Sequence, residues 1–568
     1  MFINATTTPQ SAQVSVTPRQ WALWYLFCAV LLWLYVSPLL FYDGSLQFNT
    51  DEANYVWKAD HISRDLGILA SERAWRRHPP LIPAVVGLLA KLTSLQDAIL
   101  VTTKTFALIG IVMVYILGVQ LKGPIAGLVA GVFLAGDPTY RALSNKFLLD
   151  IPLMILFVIC ASFLVRGGRY RVWAVGAGIL ALFVKDYGVL VLIFALACIG
   201  WDFLIGRGWR PAAVAGTVLG LSVIVLIPLG YLQKHIPCCD PQRWLRWLSW
   251  HVHQAQFKGW HILDNSVGWL VPGLSKRYLV LVLLPAVPLI AKMLSFSPSR
   301  VNVILFAWIA VILGPFLANR ASEERVILLF APALYLIVGV AVAQGLRLVK
   351  TPALARTLIA ISLLGCVSVL LLAQRNPEVL YYVQCRFRAY YPTGEWIGQN
   401  VPRSAGVVFT RSSHQVRFYA KSDFERDGGI FYGKDEWTGI PQTVAEFQQV
   451  LDRTDKSAYL IVDIEEKPDP RWLYPPRRDA AEAIHALGFG VVHVVWVPVG
   501  ERCDIPEWPY YSELLSFLKR LNLPLYRNDG GRKERIDAVI FKRNGMPANS
   551  QGAGLLPHER LESSNGGG

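Results

Sequence analysis

The strongest constraint on this chain is a row of long apolar segments that fills its first two-thirds and then stops. The candidates to cross a bilayer are Trp21–Phe41, Ala98–Leu121, Pro124–Asp137, Ile151–Val165, Val172–Val184, Gly188–Ile205, Ala212–Leu232, Tyr278–Met293, Val301–Leu317, Val326–Leu346 and Leu358–Ala373. A spanning helix needs about 20 mostly apolar residues, so the shorter stretches must include polar interfacial residues at their ends. Pro79–Leu92 is too short to cross and reads as an interfacial or re-entrant helix. Only 17% of the 568 residues are charged, and 54% are hydrophobic. A soluble domain carries roughly a quarter charged residues. A soluble enzyme, a disordered chain and a disulfide-rich secreted module are therefore excluded. The expected fold class is an α-helical polytopic membrane protein with about 11 crossings.

From Gln374 the composition changes, and no later run is long enough to span. Residues 374–544 read as a separate water-facing domain. Ala405–Thr410, Ala458–Asp463, Val491–Pro498 and Ala538–Lys542 have strand character. Val444–Leu451, Ala480–Leu487 and Tyr511–Leu521 have helical spacing. A small α/β layer fold is expected. It has no Gly-rich phosphate loop, so nucleotide binding is not assigned. Cys385 and Cys503 lie in this domain and are a candidate disulfide whose pairing the sequence leaves open. Residues 545–568 are Gly/Ser-rich and expected to be disordered. Met1–Gln20 reads as a polar cytoplasmic leader before a retained, Trp-rich first helix that lacks a small-residue cleavage site.

The net charge of +15 raises the question of nucleic acid. Its position answers it. Arg166, Arg169 and Arg171 form one basic connection, and Arg207 with Arg210 a second. Lys292 with Arg300, and Arg347 with Lys350 and Arg356, complete the set. Short, acid-free basic loops mark the cytoplasmic side. The opposite, extracytoplasmic face then carries loops 42–97 and 233–276, the corner at Asp150 and the C-terminal domain. The expected location is the plasma (inner) membrane, with membrane lipids as neighbours and no nucleic-acid partner.

Polar residues gather at that outer face. The first loop opens Asn49-Thr50-Asp51-Glu52-Ala53-Asn54-Tyr55. Adjacent carboxylates beside a bilayer are either hydrated helix-cap residues or a functional site. The loop continues Arg76-Arg77-His78-Pro79-Pro80-Leu81. Such a cluster before a helix start suits a phosphate, and equally a lipid headgroup. The next outer corner ends Leu148-Leu149-Asp150. Lys185-Asp186-Tyr187 interrupts an apolar run, as a turn or a cavity lining, and Arg320 to Arg325 is a further polar turn.

Taken in order and on one side, these motifs resemble the polytopic GT-C type glycosyltransferases. The nearest likeness is to the protein O-mannosyltransferases and the aminoarabinose transferases of lipid A. Asp51-Glu52 with Tyr55, His78-Pro79-Pro80-Leu81 and Leu148-Leu149-Asp150 carry the resemblance, over about Trp21 to Ala373. Many relatives have Lys where this chain has His78. The resemblance implies transfer of a sugar from a polyprenyl phosphate to a hydroxyl of a glycolipid, glycan or protein. It implies a catalytic set of Asp51, Glu52 and Asp150, with Asp51 as general base and inversion at the anomeric carbon. Arg76, Arg77, His78, Lys185, Arg320 and Arg325 would hold the donor phosphate, and Tyr55, Asp186 and Tyr187 would line the site. No cofactor is certain. A divalent metal stays open, with Asp51, His78, His251 and His253 as candidate ligands. Two other classes are a transporter or flippase for a lipid-linked sugar, and a membrane sensor with an external ligand-binding domain. Transporters place polar interruptions at midplane depth, unlike the helix-end positions here.

Overall fold

A computed structural model of the chain describes residues 50–70, 79–144, 146–204, 300–317, 324–348, 390–402, 406–410, 416, 420, 430–432, 443–454, 457–463, 478–498 and 511–544. The chain divides into two compact units, Met1–Val383 and Gln384–Gly568. The leader, the tail, Cys385, Cys503 and four expected spans (Trp21–Phe41, Ala212–Leu232, Tyr278–Met293 and Leu358–Ala373) lie outside the described residues.

The first unit is helical where described. Its elements are α1 (Thr50–Arg64), α2 (Leu81–Leu89), α3 (Leu95–Lys122), α4 (Pro124–Gly136), α5 (Pro138–Leu143), α6 (Asp150–Arg166), α7 (Tyr170–Leu182), α8 (Val189–Leu204), α9 (Arg300–Leu317) and α10 (Glu324–Leu348). Helix α3 starts on Ser94, whose hydroxyl accepts from the Asp97 N–H. Among the described residues, two stretches are long and apolar enough to cross a bilayer alone, Leu95–Lys122 and Leu328–Gly345. Helices α4 and α7 have 13 residues each, about 20 Å, so their expected spans need flanking residues to reach both surfaces. Pro79–Leu92 holds only the nine-residue α2.

Small residues let these helices approach closely, as in other membrane bundles. A Cβ on Gly118 of α3 would stand 2.5 Å from Gly127 Cα of α4. One on Gly339 of α10 would stand 2.3 Å from the Ala126 carbonyl of α4. Deeper in, Phe157, Phe194 and Trp308 join α6, α8 and α9 through ring contacts near 6 Å. Trp308 also donates its indole N–H to the Leu329 carbonyl, in the turn that Pro332 interrupts.

The described residues of the second unit form a six-stranded mixed sheet with helices on both faces. It contains α11 (Tyr390–Asn400), β1 (Gly406–Thr410), β2 (Ile430–Tyr432), α12 (Val444–Asp452), β3 (Ser457–Asp463), α13 (Arg478–Ala486), β4 (Phe489–Pro498), α14 (Tyr511–Arg520), β5 (Tyr526–Asp529) and β6 (Arg532–Arg543). The order is β2-β1-β3-β6-β4, with β5 paired to β6. The β2-β1-β3 pairs are parallel and the rest antiparallel. Alternation sorts the core. Val407, Phe409, Leu460 and Phe541 face α12, α13 and α14, while Val408, Tyr459, Ile461 and Ile540 face α11. Gly530 and Gly531, at φ 54° and 80°, make the tight turn that joins β5 to β6. Helix α12 carries a Thr443/Glu446 capping box. Elements α11, β2 and β5 have no counterpart in the sequence expectation.

Candidate active site

Helix α1 carries the adjacent carboxylates. Asp51 and Glu52 sit in its first turn, where the helix dipole favours negative charge. Tyr55, Val56, Ala59 and Ile62 make a fully buried stripe. Helix α2 presses against α1 so closely that a Cβ on Gly87 would stand 2.7 Å from the Ala59 carbonyl. The α1 backbone is thus held before any substrate arrives.

Glu52 does not face water. One of its carboxylate oxygens accepts from the Phe147 backbone N–H at 2.7 Å, and the other lies 4.0 Å from the Lys146 ammonium, both side chains being buried. Tyr55 meets the Phe147 ring edge-on at 6.1 Å between centroids. Glu52 therefore fastens the 146–150 corner to α1. Charge-assisted bonds of this kind are worth about 1.5–3 kcal/mol.

The far end of that corner is fastened as well. Asp150 opens α6, and its Oδ1 accepts from Lys185 Nζ at 2.8 Å, with the two side chains 0% and 3% exposed. The Lys185 ammonium stands 5.0 Å from the centre of the Tyr187 ring. Asp150 Oδ2 is buried and has no hydrogen-bond partner among the described residues. Leu149, not Asp150, occupies the cap position, and it makes no side-chain cap bond.

A third buried carboxylate braces this region. Asp137, between α4 and α5, accepts the Tyr140 N–H at 2.9 Å and the Tyr335 hydroxyl of α10. Asp137-Pro138 is a legible N-cap and first-turn pair. Tyr335, 198 residues away, leaves no local signal. Asp137, Tyr140, Tyr335 and Lys146 were not among the residues expected from the sequence.

At the other end of the unit a carboxylate inside α8 joins the basic side chains. Asp202, near the end of α8, accepts from Arg171 at 2.7 Å and from Arg300 at 2.9 Å. The apolar run of α8 hides this carboxylate in the sequence. Gly167 lies beside it at φ 67°, a backbone conformation that L side chains rarely adopt.

The expected site residues divide accordingly. Glu52, Tyr55, Asp150, Lys185 and Tyr187 are placed with their side chains. Asp51, Asp186 and Arg325 are placed by backbone, and their side chains lie outside the described residues. Arg76, Arg77, His78, His251, His253 and Arg320 also lie outside the described residues. Among the described residues no group of three or more His, Cys, Asp or Glu side chains converges as a metal site.

No protein-family model and no curated protein matches the sequence. Solved structures do match in fold. ArnT from Cupriavidus metallidurans, bound to undecaprenyl phosphate, aligns over 94% of this chain and 100% of its own, with 15% identity and a TM-score of 0.55. The apo oligosaccharyltransferase of Archaeoglobus fulgidus aligns over 78% of this chain and 70% of its own, with 12% identity and a TM-score of 0.55. The Archaeoglobus fulgidus oligosaccharyltransferase AglB, in complex with an inhibitory peptide and a dolichol-phosphate, aligns over 88% and 78%, with 13% identity and a TM-score of 0.53. The chain therefore has the GT-C type fold of these polytopic membrane proteins.

Proposed function

We propose that this chain is an integral-membrane glycosyltransferase that moves a sugar from a polyprenyl phosphate to an acceptor hydroxyl at the extracytoplasmic surface of the plasma membrane. One observation carries the reading. In a GT-C type fold, the carboxylate-bearing turn of α1 and the Asp150–Lys185 pair are fastened to opposite ends of one short corner. The likeness to ArnT with undecaprenyl phosphate supports a lipid-phosphate donor.

The chemistry needs few groups. The acceptor hydroxyl loses its proton to Asp51 as general base, its oxygen bonds to the anomeric carbon, and the carbon–oxygen bond to phosphate breaks. Attack opposite the leaving phosphate inverts the carbon, and a single displacement needs one base without a covalent intermediate. The phosphate departs as a stable anion, so cations replace a general acid. Arg76, Arg77, His78, Arg320 and Arg325 supply that charge in this reading. Lys185 contributes hydrogen bonds from where Asp150 holds it, which makes Asp150 a positioning residue. Glu52 likewise positions the corner instead of exchanging protons. In this reading the C-terminal unit contributes to acceptor choice, and removing 384–544 without altering acceptor choice would contradict that role.

The test is Asp51→Asn in proteoliposomes supplied with lipid-linked sugar and a hydroxyl acceptor. Loss of a general base lowers turnover about 10²–10⁴-fold. Wild-type turnover in a folded variant overturns the assignment.

A further inference from the structure

We infer that the end of the helical unit opposite Asp150 holds a site for an anionic phospholipid headgroup, built on Arg166, Arg169 and Tyr170. This inference does not depend on the proposed reaction.

Helix α6 separates the two ends. Asp150 is its first residue and Arg166 its last, and 17 residues rise about 25 Å. That is close to the thickness of a bilayer's hydrocarbon core. Gly167 and Gly168, at φ 67° and 55°, then reverse the chain so that Arg169 and Tyr170 return beside Arg166. The guanidiniums of Arg166 and Arg169 each lie 5.5 Å from the centre of the same Tyr170 ring. Both arginines are exposed, and neither has a carboxylate partner among the described residues. Asp202 is already shared by Arg171 and Arg300. The turn therefore carries two guanidiniums held at one ring, neither with a carboxylate partner among the described residues, and such groups are donors suited to a phosphate diester.

The surface next to the arginines selects a lipid over a soluble phosphate. Helix α7 leaves Val172 38%, Trp173 63% and Leu180 47% exposed. Helix α8 exposes Trp201 at 40%, immediately before Asp202. Trp and Tyr at this level are the interfacial belt of a membrane protein. A soluble anion would use the arginines and leave that apolar strip bare. A phospholipid places its phosphate on Arg166 and Arg169 and its acyl chains along Val172, Trp173 and Leu180. Basic recesses between membrane helices take anionic headgroups in this way. The donor phosphate of the proposed reaction belongs to the other end of α6, so the two sites do not compete.

The experiment compares the purified full chain in nanodiscs of phosphatidylcholine with the same discs containing about a third phosphatidylglycerol, near the anionic content that such basic segments meet in membranes. Wild type gains thermal stability with phosphatidylglycerol, and sodium phosphate added to phosphatidylcholine discs gives no gain. Arg166→Gln with Arg169→Gln loses the gain while keeping the phosphatidylcholine midpoint, and Arg166→Lys with Arg169→Lys retains most of it. A full gain in the Gln pair, or an equal gain from sodium phosphate, overturns the site. Should the Gln pair fail to fold, bromine-labelled lipids decide the matter. The quenching present in wild type and lost in Trp173→Phe is larger with brominated phosphatidylglycerol than with brominated phosphatidylcholine. Equal quenching by the two lipids contradicts the inference.

Discussion

The two ends of the helical unit hold their charged groups in different ways. At the Asp150 end, Glu52 lies by Lys146, Asp150 pairs with Lys185, and Asp137 is held by a hydroxyl and a backbone N–H. At the other end, Asp202 serves both Arg171 and Arg300, with Arg166 and Arg169 exposed beside them. The difference teaches what each end is for. Balanced pairs in a dry setting hold groups in fixed geometry and leave little net field. An excess of arginine beside interfacial Trp orients the chain in a membrane and attracts anionic headgroups.

Breaking the balanced end has the largest predicted effect. Asp150→Asn or Lys185→Met leaves a buried charge without its partner, which costs about 3–5 kcal/mol. The Asp150→Leu, Lys185→Leu double variant removes both charges and is milder in thermal unfolding of the purified chain. A double variant worse than either single one would refute the pair as a closed unit. At the arginine-rich end, Asp202→Asn weakens charge-assisted bonds worth about 1.5–3 kcal/mol, and sugar transfer per folded molecule stays at the wild-type level. Transfer falling in step with stability would show that the two ends are not separable.

Glu52 offers a finer contrast within the Asp150 end. Glu52→Gln still accepts the Phe147 N–H and retains most activity, whereas Glu52→Ala leaves that N–H bare at about 1–3 kcal/mol. If Glu52→Gln were as inactive as Asp51→Asn, Glu52 would belong to the proton transfer itself.

The smallest effect is set in the C-terminal unit, where His493 of β4 stacks on Trp396 of α11 at 5.1 Å. Burial holds its pKa below the ordinary 6.5. The unfolded chain then binds the extra proton first, so stability is full above that ordinary value and declines as pH falls below it. The protection factor of the β4 amides in the full chain, corrected for the intrinsic pH dependence of exchange, should fall on acidification, and His493→Gln should flatten that dependence.

Much of the architecture was legible because it rests on period and composition. The apolar runs named α3, α6, α8, α9 and α10, and β-branched runs named β1, β3 and β4 within two residues of their observed starts. The sixth strand begins at Arg532 instead of Ala538, since Arg-Lys-Glu-Arg masks its first half. Helix α11 contains Pro392 and Gly394, both poor helix formers, and forms through burial of Ile397 against the sheet. Asp51, Glu52 and Asp150 stood out as carboxylates at helix ends. Their partners did not, because Glu52 and Phe147 are 95 residues apart and Asp150 and Lys185 are 35 apart. Such contacts are made by packing and leave no spacing rule behind.

Sugar transfer at the Asp150 end, as proposed, has a direct test. The most direct measurement follows polyprenyl phosphate release and acceptor glycosylation together in proteoliposomes containing purified protein and lipid-linked sugar. Equimolar release and glycosylation by wild type, abolished by Asp51→Asn and unchanged in folded Asp202→Asn, is the predicted result. Lipid-linked sugar that crosses the vesicle membrane intact, with no phosphate released and no acceptor modified, would contradict it.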